Sequence, residues 1–81
     1  MPRLKVLSAK MLIKIFAEFD FVAVSQRGSH LKLARTTKDD GKQILTIPDH
    51  KELDRGTLLA IYRQSLRYIS EEELRSYFYT D

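Results

Sequence analysis

The 81-residue sequence has no cysteine and no tryptophan, and it contains only two histidines, two prolines and three glycines. The absence of cysteine excludes disulfides, thiolate metal sites and a thiol nucleophile, and it fits a reducing compartment. No apolar run approaches the roughly 20 residues of a membrane span, and the N-terminus shows no signal peptide. We therefore expect a cytoplasmic protein with no membrane contact.

The chain is short, and we expect a single domain over residues 1–81, with its core in residues 8–69. A domain of this size buries only about 60% of the surface of its unfolded chain, so no deep pocket for a small-molecule cofactor is expected. His30 and His50 lie far apart in sequence, and neither has a second ligand at helical spacing, so we expect no metal site. Gly-rich phosphate loops and paired catalytic carboxylates do not stand out either.

The net charge is +3, and the positive charge is concentrated in the first half of the chain. Residues 1–48 contain nine lysines and arginines against four acidic residues, whereas residues 49–81 contain five against seven. This distribution suits a polyanionic partner such as RNA. An ordinary solvated surface would give the same counts, so charge alone leaves both interpretations open.

Hydrophobic periodicity and turn residues predict a helix, three strands and two further helices. The first helix covers residues 9–19 after the N-cap Ser8, and the strands cover residues 21–26, 29–36 and 43–47. Asp40-Gly41 closes the turn between the last two strands. The second helix opens near Gly56-Thr57, and a capping box from Ser70 to Glu73 opens a terminal helix over residues 70–79. The apolar face of the first helix comprises Met11, Leu12, Ile15, Phe16 and Phe19.

The order of these elements predicts an α+β fold. Two successive hairpins form a three-stranded antiparallel sheet, and two helices cover one of its faces. This α-β-β-β-α arrangement is that of double-stranded-RNA-binding domains, in which the other face or an edge of the sheet can meet a ligand. The short terminal helix is added at the end.

The second predicted strand carries a histidine among cations, directly after a glycine turn. Leu31 and Leu33 face the core in this strand because side chains alternate between the two faces. His30, Lys32 and Ala34 must then project together from the opposite face. This places an imidazole and a lysine on the surface that the helices leave open.

A single imidazole among cations is sufficient in principle to cleave RNA. The ribose 2′-hydroxyl is the nucleophile, and a histidine can accept its proton or protonate the leaving oxygen near neutral pH. We predict that His30 is this general acid or base and that nearby cations stabilise charge on the phosphoryl oxygens. His50 is a secondary candidate. The predicted RNA contacts are Arg27, Gly28, Ser29, Lys32 and Arg35. The alternative is structural: His30 is bonded to backbone at a strand edge, and His50 orders a connector.

Three motifs resemble those of the HicA toxins of bacterial and archaeal toxin–antitoxin pairs. They are Gln26-Arg27-Gly28-Ser29-His30, Ile47-Pro48-Asp49-His50, and Gly56-Thr57-Leu58 followed by Ile61 and Arg63-Gln64. Gly-Ser-His alone is a weak signal, but the three motifs in this order and at these separations are specific. The resemblance covers residues 8–74. It implies a double-stranded-RNA-binding-like fold, an mRNA endoribonuclease that blocks translation with its catalytic histidine at His30, and a HicB antitoxin that covers the active site.

The sequence departs from the family pattern at two places. Asp20 stands where the family usually has a glycine before the first strand, and aspartate tolerates the left-handed conformation better than most residues. The helix-ending glycine that usually follows Arg63-Gln64 is absent, which allows the second helix to run further. Neither departure touches His30.

Two other functions are compatible with the same residues. A non-catalytic RNA-binding module would hold the RNA backbone on the same basic face without cleaving it. A protein-interaction domain would instead use a patch of aromatic side chains. The residues of that patch are Tyr62, Tyr77, Phe78 and Tyr79.

Overall fold

The structure is a computed structural model that describes residues 2–39 and 41–80. Its elements, in chain order, are β1 (Arg3–Leu4), α1 (Ala9–Ala17), β2 (Val22–Arg27), β3 (His30–Thr37), β4 (Gly41–Pro48), α2 (Arg55–Ser65), α3 (Glu71–Phe78) and β5 (Tyr79–Thr80). The predicted α-β-β-β-α order with a terminal helix is confirmed. The predicted turn residue Asp40 lies outside the described residues.

Helix α1 begins where its cap predicts. The Ser8 hydroxyl accepts a hydrogen bond from the Met11 N–H at 3.1 Å and so satisfies one of the free donors of the first turn. The buried face consists of Ala9, Leu12, Ile15 and Phe16. The assignment of Met11 to this face is wrong, because its side chain is 50% exposed.

The end of α1 comes two residues earlier than predicted, at Ala17 rather than Phe19. Asp20 then adopts the left-handed conformation with φ of 70°, as expected for a position where the family usually has glycine. This reverses the chain so that the Phe21 N–H donates to the Phe16 carbonyl at 3.0 Å. Phe16 and Phe21 therefore meet edge to face inside the core, with ring centroids 6.2 Å apart.

The main sheet is antiparallel, in the order β2-β3-β4. Its helix-covered face buries four leucine and isoleucine side chains, of which the two on β3 are those predicted from the alternation. They are Leu31, Leu33, Leu45 and Ile47. The opposite face has no helix of the described chain packed on it, and every residue of β2 is exposed. Ala34, predicted on this open face, is nevertheless buried because its small side chain sits between strand neighbours Val22 and Ile44.

Helix α2 ends at Ser65 even though no glycine follows it. The buried Ser65 hydroxyl donates to the Tyr62 carbonyl at 2.8 Å, and the Leu66 N–H reaches the same carbonyl at 3.1 Å. The Tyr68 and Ile69 N–H groups both bond to the Ser65 carbonyl at 3.0 Å. The longer second helix that the missing glycine allows is therefore not formed.

A feature absent from the predictions is the pairing of β1 with β5, which joins the two ends of the chain antiparallel. The Lys5 N–H also donates to the Phe78 carbonyl at 2.7 Å, and its ammonium to the Ser76 carbonyl at 2.9 Å. These bonds hold α3 against the core. The aromatic patch predicted for a protein-interaction domain is consequently packed inward, with Tyr62 and Phe78 buried at a centroid distance of 5.0 Å.

Candidate nucleic-acid interface

The open face of the sheet is positively charged. The strands β2, β3 and β4 contain no aspartate or glutamate. Cross-strand partners share a face, and the pairs Arg27 with His30 and Ser25 with Lys32 therefore place an arginine and a lysine beside the histidine. The predicted alternation of His30 and Lys32 on one side of β3 is confirmed.

His30 is the first residue of β3 and follows a two-residue turn made by Gly28 and Ser29. Arg27 and His30 pair directly across this turn. Gly28 has φ of +60°, whereas Ser29 does not have a positive φ. A positive φ at the first central position alone is the signature of a type II′ hairpin turn, which requires glycine there. The glycine thus fixes where the His30 backbone enters the sheet.

The turn is tied to the connector that follows β4. The Gln26 side-chain amide donates to the Gly28 carbonyl at 3.1 Å and to the Asp49 carboxylate at 3.0 Å. The Asp49 N–H donates to the Ser29 carbonyl at 2.6 Å. Gln26 and Asp49 both stand in the motifs that resemble the HicA toxins, but their contact was not predicted, since side-chain bridges between segments leave no periodic pattern.

An open groove of about 430 Å³ surrounds His30. Six of its seven lining residues are polar or cationic by type, and none of the seven carries a carboxylate. The lining residues are Ser25, Gln26, Arg27, His30, Leu31, Lys32 and Thr46. The groove thus brings together an exposed imidazole, a guanidinium and an ammonium, which is a combination suited to a phosphodiester.

Arg35 is not part of this groove. Its guanidinium turns to the helix side of the sheet, where it donates to the carbonyls of Phe19 and Tyr68, each at 2.8 Å, and to the side-chain oxygen of Gln43 at 2.7 Å. It also lies over the Phe21 ring, 4.7 Å from the centroid. The structure therefore does not join Arg35 to the other predicted RNA contacts.

His50 is also separate from the His30 groove. It lies on the connector after β4 and lines a neighbouring groove of about 520 Å³ together with Ser8, Lys10, Asp49 and Lys51. The His50 carbonyl accepts a hydrogen bond from the Ala9 N–H at 3.0 Å. Its backbone thus connects the β4–α2 segment to the start of α1, a bond that does not depend on the imidazole.

Two groups with shifted pKa values lie outside the groove. Hydrogen bonds from the Thr57 hydroxyl and N–H lower the pKa of Asp54, the N-cap of α2. Burial, followed by the hydrogen bond to Glu71, raises the pKa of Tyr62. Both groups belong to the α2 region, so they bear on stability rather than on chemistry at His30.

Within residues 2–39 and 41–80, no three histidine, cysteine, aspartate or glutamate side chains gather as a metal-binding group would. No helix in the described part of the chain has the length and hydrophobicity to cross a membrane.

Comparison with known families gives one informative result. The family model described as HicA toxin of bacterial toxin–antitoxin matches residues 9–66, which is well over half of the chain. The match spans α1, the three-stranded sheet and α2, and it includes the His30 turn. No curated protein and no solved structure matches the chain at a significant level.

Proposed function

The chain belongs to the HicA family of toxins from bacterial toxin–antitoxin systems, and from that membership we propose that this toxin is an mRNA endoribonuclease. His30 is its general acid or base. The observation that carries the proposal is the exposed imidazole held at a glycine turn in a groove that Arg27 and Lys32 make cationic.

The reaction needs one proton acceptor and one proton donor around the phosphodiester. The ribose 2′-oxygen gives up its proton and forms a bond to phosphorus, while the bond from phosphorus to the 5′-oxygen breaks. The leaving 5′-oxygen takes up a proton, and the products are a 2′,3′-cyclic phosphate and a 5′-hydroxyl. An imidazole can serve either proton transfer near neutral pH, and His30 is exposed enough to reach the sugar–phosphate backbone.

The neighbouring cations supply the electrostatic part of the mechanism. Negative charge grows on the non-bridging phosphoryl oxygens as the new bond forms, and fixed cations stabilise that charge. Arg27 is the cross-strand partner of His30, and Lys32 is two residues along the same strand face. DNA has no 2′-hydroxyl, so this mechanism leaves DNA uncut.

The partners proposed for this toxin are mRNA and a HicB-like antitoxin that covers the His30 groove. Val22 and Val24, exposed by 60% and 50%, provide apolar contact on β2, the strand that ends at Arg27. Exposed apolar residues beside a charged groove suit a protein partner. The proposal includes a cytoplasmic location, because that is where mRNA is translated.

The decisive experiment is induced expression in a bacterial host, with wild type, His30→Ala and His50→Ala compared side by side. Growth and mRNA integrity are followed over time, and circular dichroism of the purified proteins controls for folding. We expect wild type and His50→Ala to arrest growth with loss of mRNA, and His30→Ala to do neither. His50→Ala is the matched control because it removes the other exposed imidazole, in the neighbouring groove.

The outcomes also distinguish the second candidate, a non-catalytic RNA-binding module on the same face. If growth stops while mRNA stays intact, and His30→Ala is as toxic as wild type, binding rather than cleavage carries the function. Salt-sensitive RNA binding by both proteins in vitro would then confirm that alternative. Suppression of toxicity by a HicB-like protein encoded alongside would support the antitoxin partner.

A further inference from the structure

We propose that Gln26 and Asp49 are positioning residues that hold the His30 turn in its reactive geometry. This inference rests on the proposed nuclease function. The two side chains support the reaction, but they do not contact the RNA phosphate. Neither residue is a cation, and the carboxylate of Asp49 would repel a phosphate. Gln26 lines the His30 groove, but its amide is engaged by Gly28 and Asp49, so we assign the contribution of both residues to the turn that precedes His30.

The two side chains meet directly beside that turn. Gln26 precedes the turn on β2, whereas Asp49 follows the end of β4, so the turn lies between two segments that are distant in sequence. One amide group of Gln26 is shared between the Gly28 carbonyl at 3.1 Å and the Asp49 carboxylate at 3.0 Å. The Asp49 N–H donates a hydrogen bond to the Ser29 carbonyl at 2.6 Å. Both central carbonyls of the turn thus have partners supplied by these two residues.

Strand pairing of His30 with Arg27 and with Pro48 fixes the ends of the turn, and the bridge adds support at the two residues between them. Gly28, Ser29 and His30 are all exposed, and a Cβ added at Gly28 would meet no atom within 4 Å. A two-residue turn in open solvent, with glycine at its first central position, keeps considerable backbone freedom unless its carbonyls are held. Small errors in the placement of a catalytic group reduce rates strongly. The bridge therefore restricts the position of the imidazole relative to Arg27.

The side-chain link can be removed without breaking the main-chain bond. Asp49→Ala leaves the Asp49 N–H bond to Ser29 possible, and Gln26→Ala leaves the carboxylate in place. Asp49→Asn keeps an oxygen that accepts from Gln26 while removing the charge. Gln26→Glu replaces the donor with a second carboxylate. These four variants separate hydrogen bonding from charge.

The test measures kcat and KM on a short RNA substrate for the full chain. We expect Gln26→Ala, Gln26→Glu and Asp49→Ala each to lower kcat about tenfold to a hundredfold with KM unchanged, and Asp49→Asn to retain wild-type kcat. The double variant Gln26→Ala/Asp49→Ala should lose no more than Gln26→Ala alone, because Gln26→Ala already removes both side-chain bonds of the bridge. Asp54→Ala is the control for general destabilisation, since it removes the N-cap of α2 without touching the turn.

A second readout does not depend on cleavage. The ring signals of His30 and the amide signals of residues 29 and 30 are followed by NMR without RNA. The proposal predicts that they move in Gln26→Ala and Asp49→Ala but stay at wild-type positions in Asp49→Asn and Asp54→Ala. If wild type cleaves no RNA, the nuclease proposal fails, and these signals alone decide whether the bridge positions His30.

Two results would overturn the inference. Wild-type kcat together with wild-type His30 signals in both alanine variants would show that the bridge is dispensable. A rise in KM with unchanged kcat would show that Gln26 contacts RNA directly instead of acting through the turn.

Discussion

Replacement of Arg35 by lysine tests whether this cation belongs to the core or to the RNA-binding surface. The guanidinium makes three hydrogen bonds of 2.7 to 2.8 Å to groups on three different segments, and it stacks on Phe21. Lysine keeps the charge but cannot reproduce this planar set of donors. Hydrogen bonds from a charged donor are each worth about 1.5–3 kcal/mol, and the cation–π contact adds about 0.5–1 kcal/mol.

The partners of Arg35 determine how much of this energy is lost. Gln43 is 7% exposed, so its side-chain oxygen has little access to replacement water. Lysine can still satisfy one of the three acceptors. We therefore expect Arg35→Lys to lower the free energy of unfolding by about 3 kcal/mol, which corresponds to roughly 12–24 °C in the melting temperature of a domain of this size.

The assay is thermal and urea unfolding followed by circular dichroism, with RNA cleavage measured per folded molecule below the transition. Arg63→Lys is the matched control, because Arg63 is exposed on α2 and its replacement should leave the melting temperature unchanged. A variant Arg35→Lys that is as stable as wild type would refute the structural role. If Arg35→Ala is as stable as wild type but no longer binds RNA, Arg35 contacts RNA as the sequence predicted.

Three further substitutions test the local interactions that hold the fold. Tyr62→Phe removes the hydrogen bond to Glu71 and should lower the free energy of unfolding by about 1 kcal/mol in urea. Burial raises the pKa of Tyr62 in the folded state, so the neutral phenol stabilises the wild type at pH values below the ordinary pKa of 10.0. This stabilisation is lost as the pH rises above that value. Asp54→Ala should lower the melting temperature at pH 7, and the deficit relative to wild type should disappear as the pH falls below 3.8, since the pKa of Asp54 is lowered in the folded state. Gly28→Ala should lower the free energy of unfolding by about 1–2 kcal/mol, because alanine is strained at this positive φ although no atom obstructs the new methyl group. If the variant is as stable as wild type, the type II′ turn is excluded.

Most of the fold follows from local chemistry. Ser8 and Ser70 cap their helices as predicted, because a hydroxyl before an amphipathic stretch identifies the start of a helix without knowledge of the rest of the chain. The ends were harder to predict. After Ser65 the bonds of α2 tighten to three-residue spacing, with the Arg67 N–H on the Gln64 carbonyl and the Tyr68 N–H on the Ser65 carbonyl, and no residue of the sequence marks this change in advance.

Contacts between distant segments account for the remaining differences. The pairing of β1 with β5 involves two residues on each side, and strands so short have no detectable alternation. Met11 lies beside the buried face of α1, and whether its side chain is covered depends on which other segments pack against that part of the helix. Both outcomes are decided by tertiary packing, whereas periodicity reports only the average face of a helix.

The site shows the same division between local pattern and tertiary contact. Alternation along β3 correctly placed His30 and Lys32 together. The same alternation puts Arg35 with Leu31 and Leu33 on the covered face, so the rule that located the histidine also argues against a phosphate contact at Arg35. Arg35 was predicted to contact RNA because it is a cation, without regard to the face of β3 on which the alternation places it. The contact of Gln26 with Asp49 could not be predicted from the motifs that contain them, because it joins the ends of two strands.

The cations of the sheet therefore include one that holds the core, Arg35, and two that line the open groove, Arg27 and Lys32. If RNA binds in the groove as proposed, the salt dependence of binding measures this division. Each phosphate neutralised on a single strand contributes about −0.7 to the slope of log K against log salt concentration. Arg27→Ala and Lys32→Ala should each make the slope shallower by about 0.7, since both side chains line the His30 groove. Arg35→Ala, measured at a temperature where it is folded, should leave the slope unchanged because its guanidinium bonds to carbonyls on the covered face. A slope that responds equally to all three replacements would mean that RNA reaches both faces of the sheet, which would contradict the groove as the binding site.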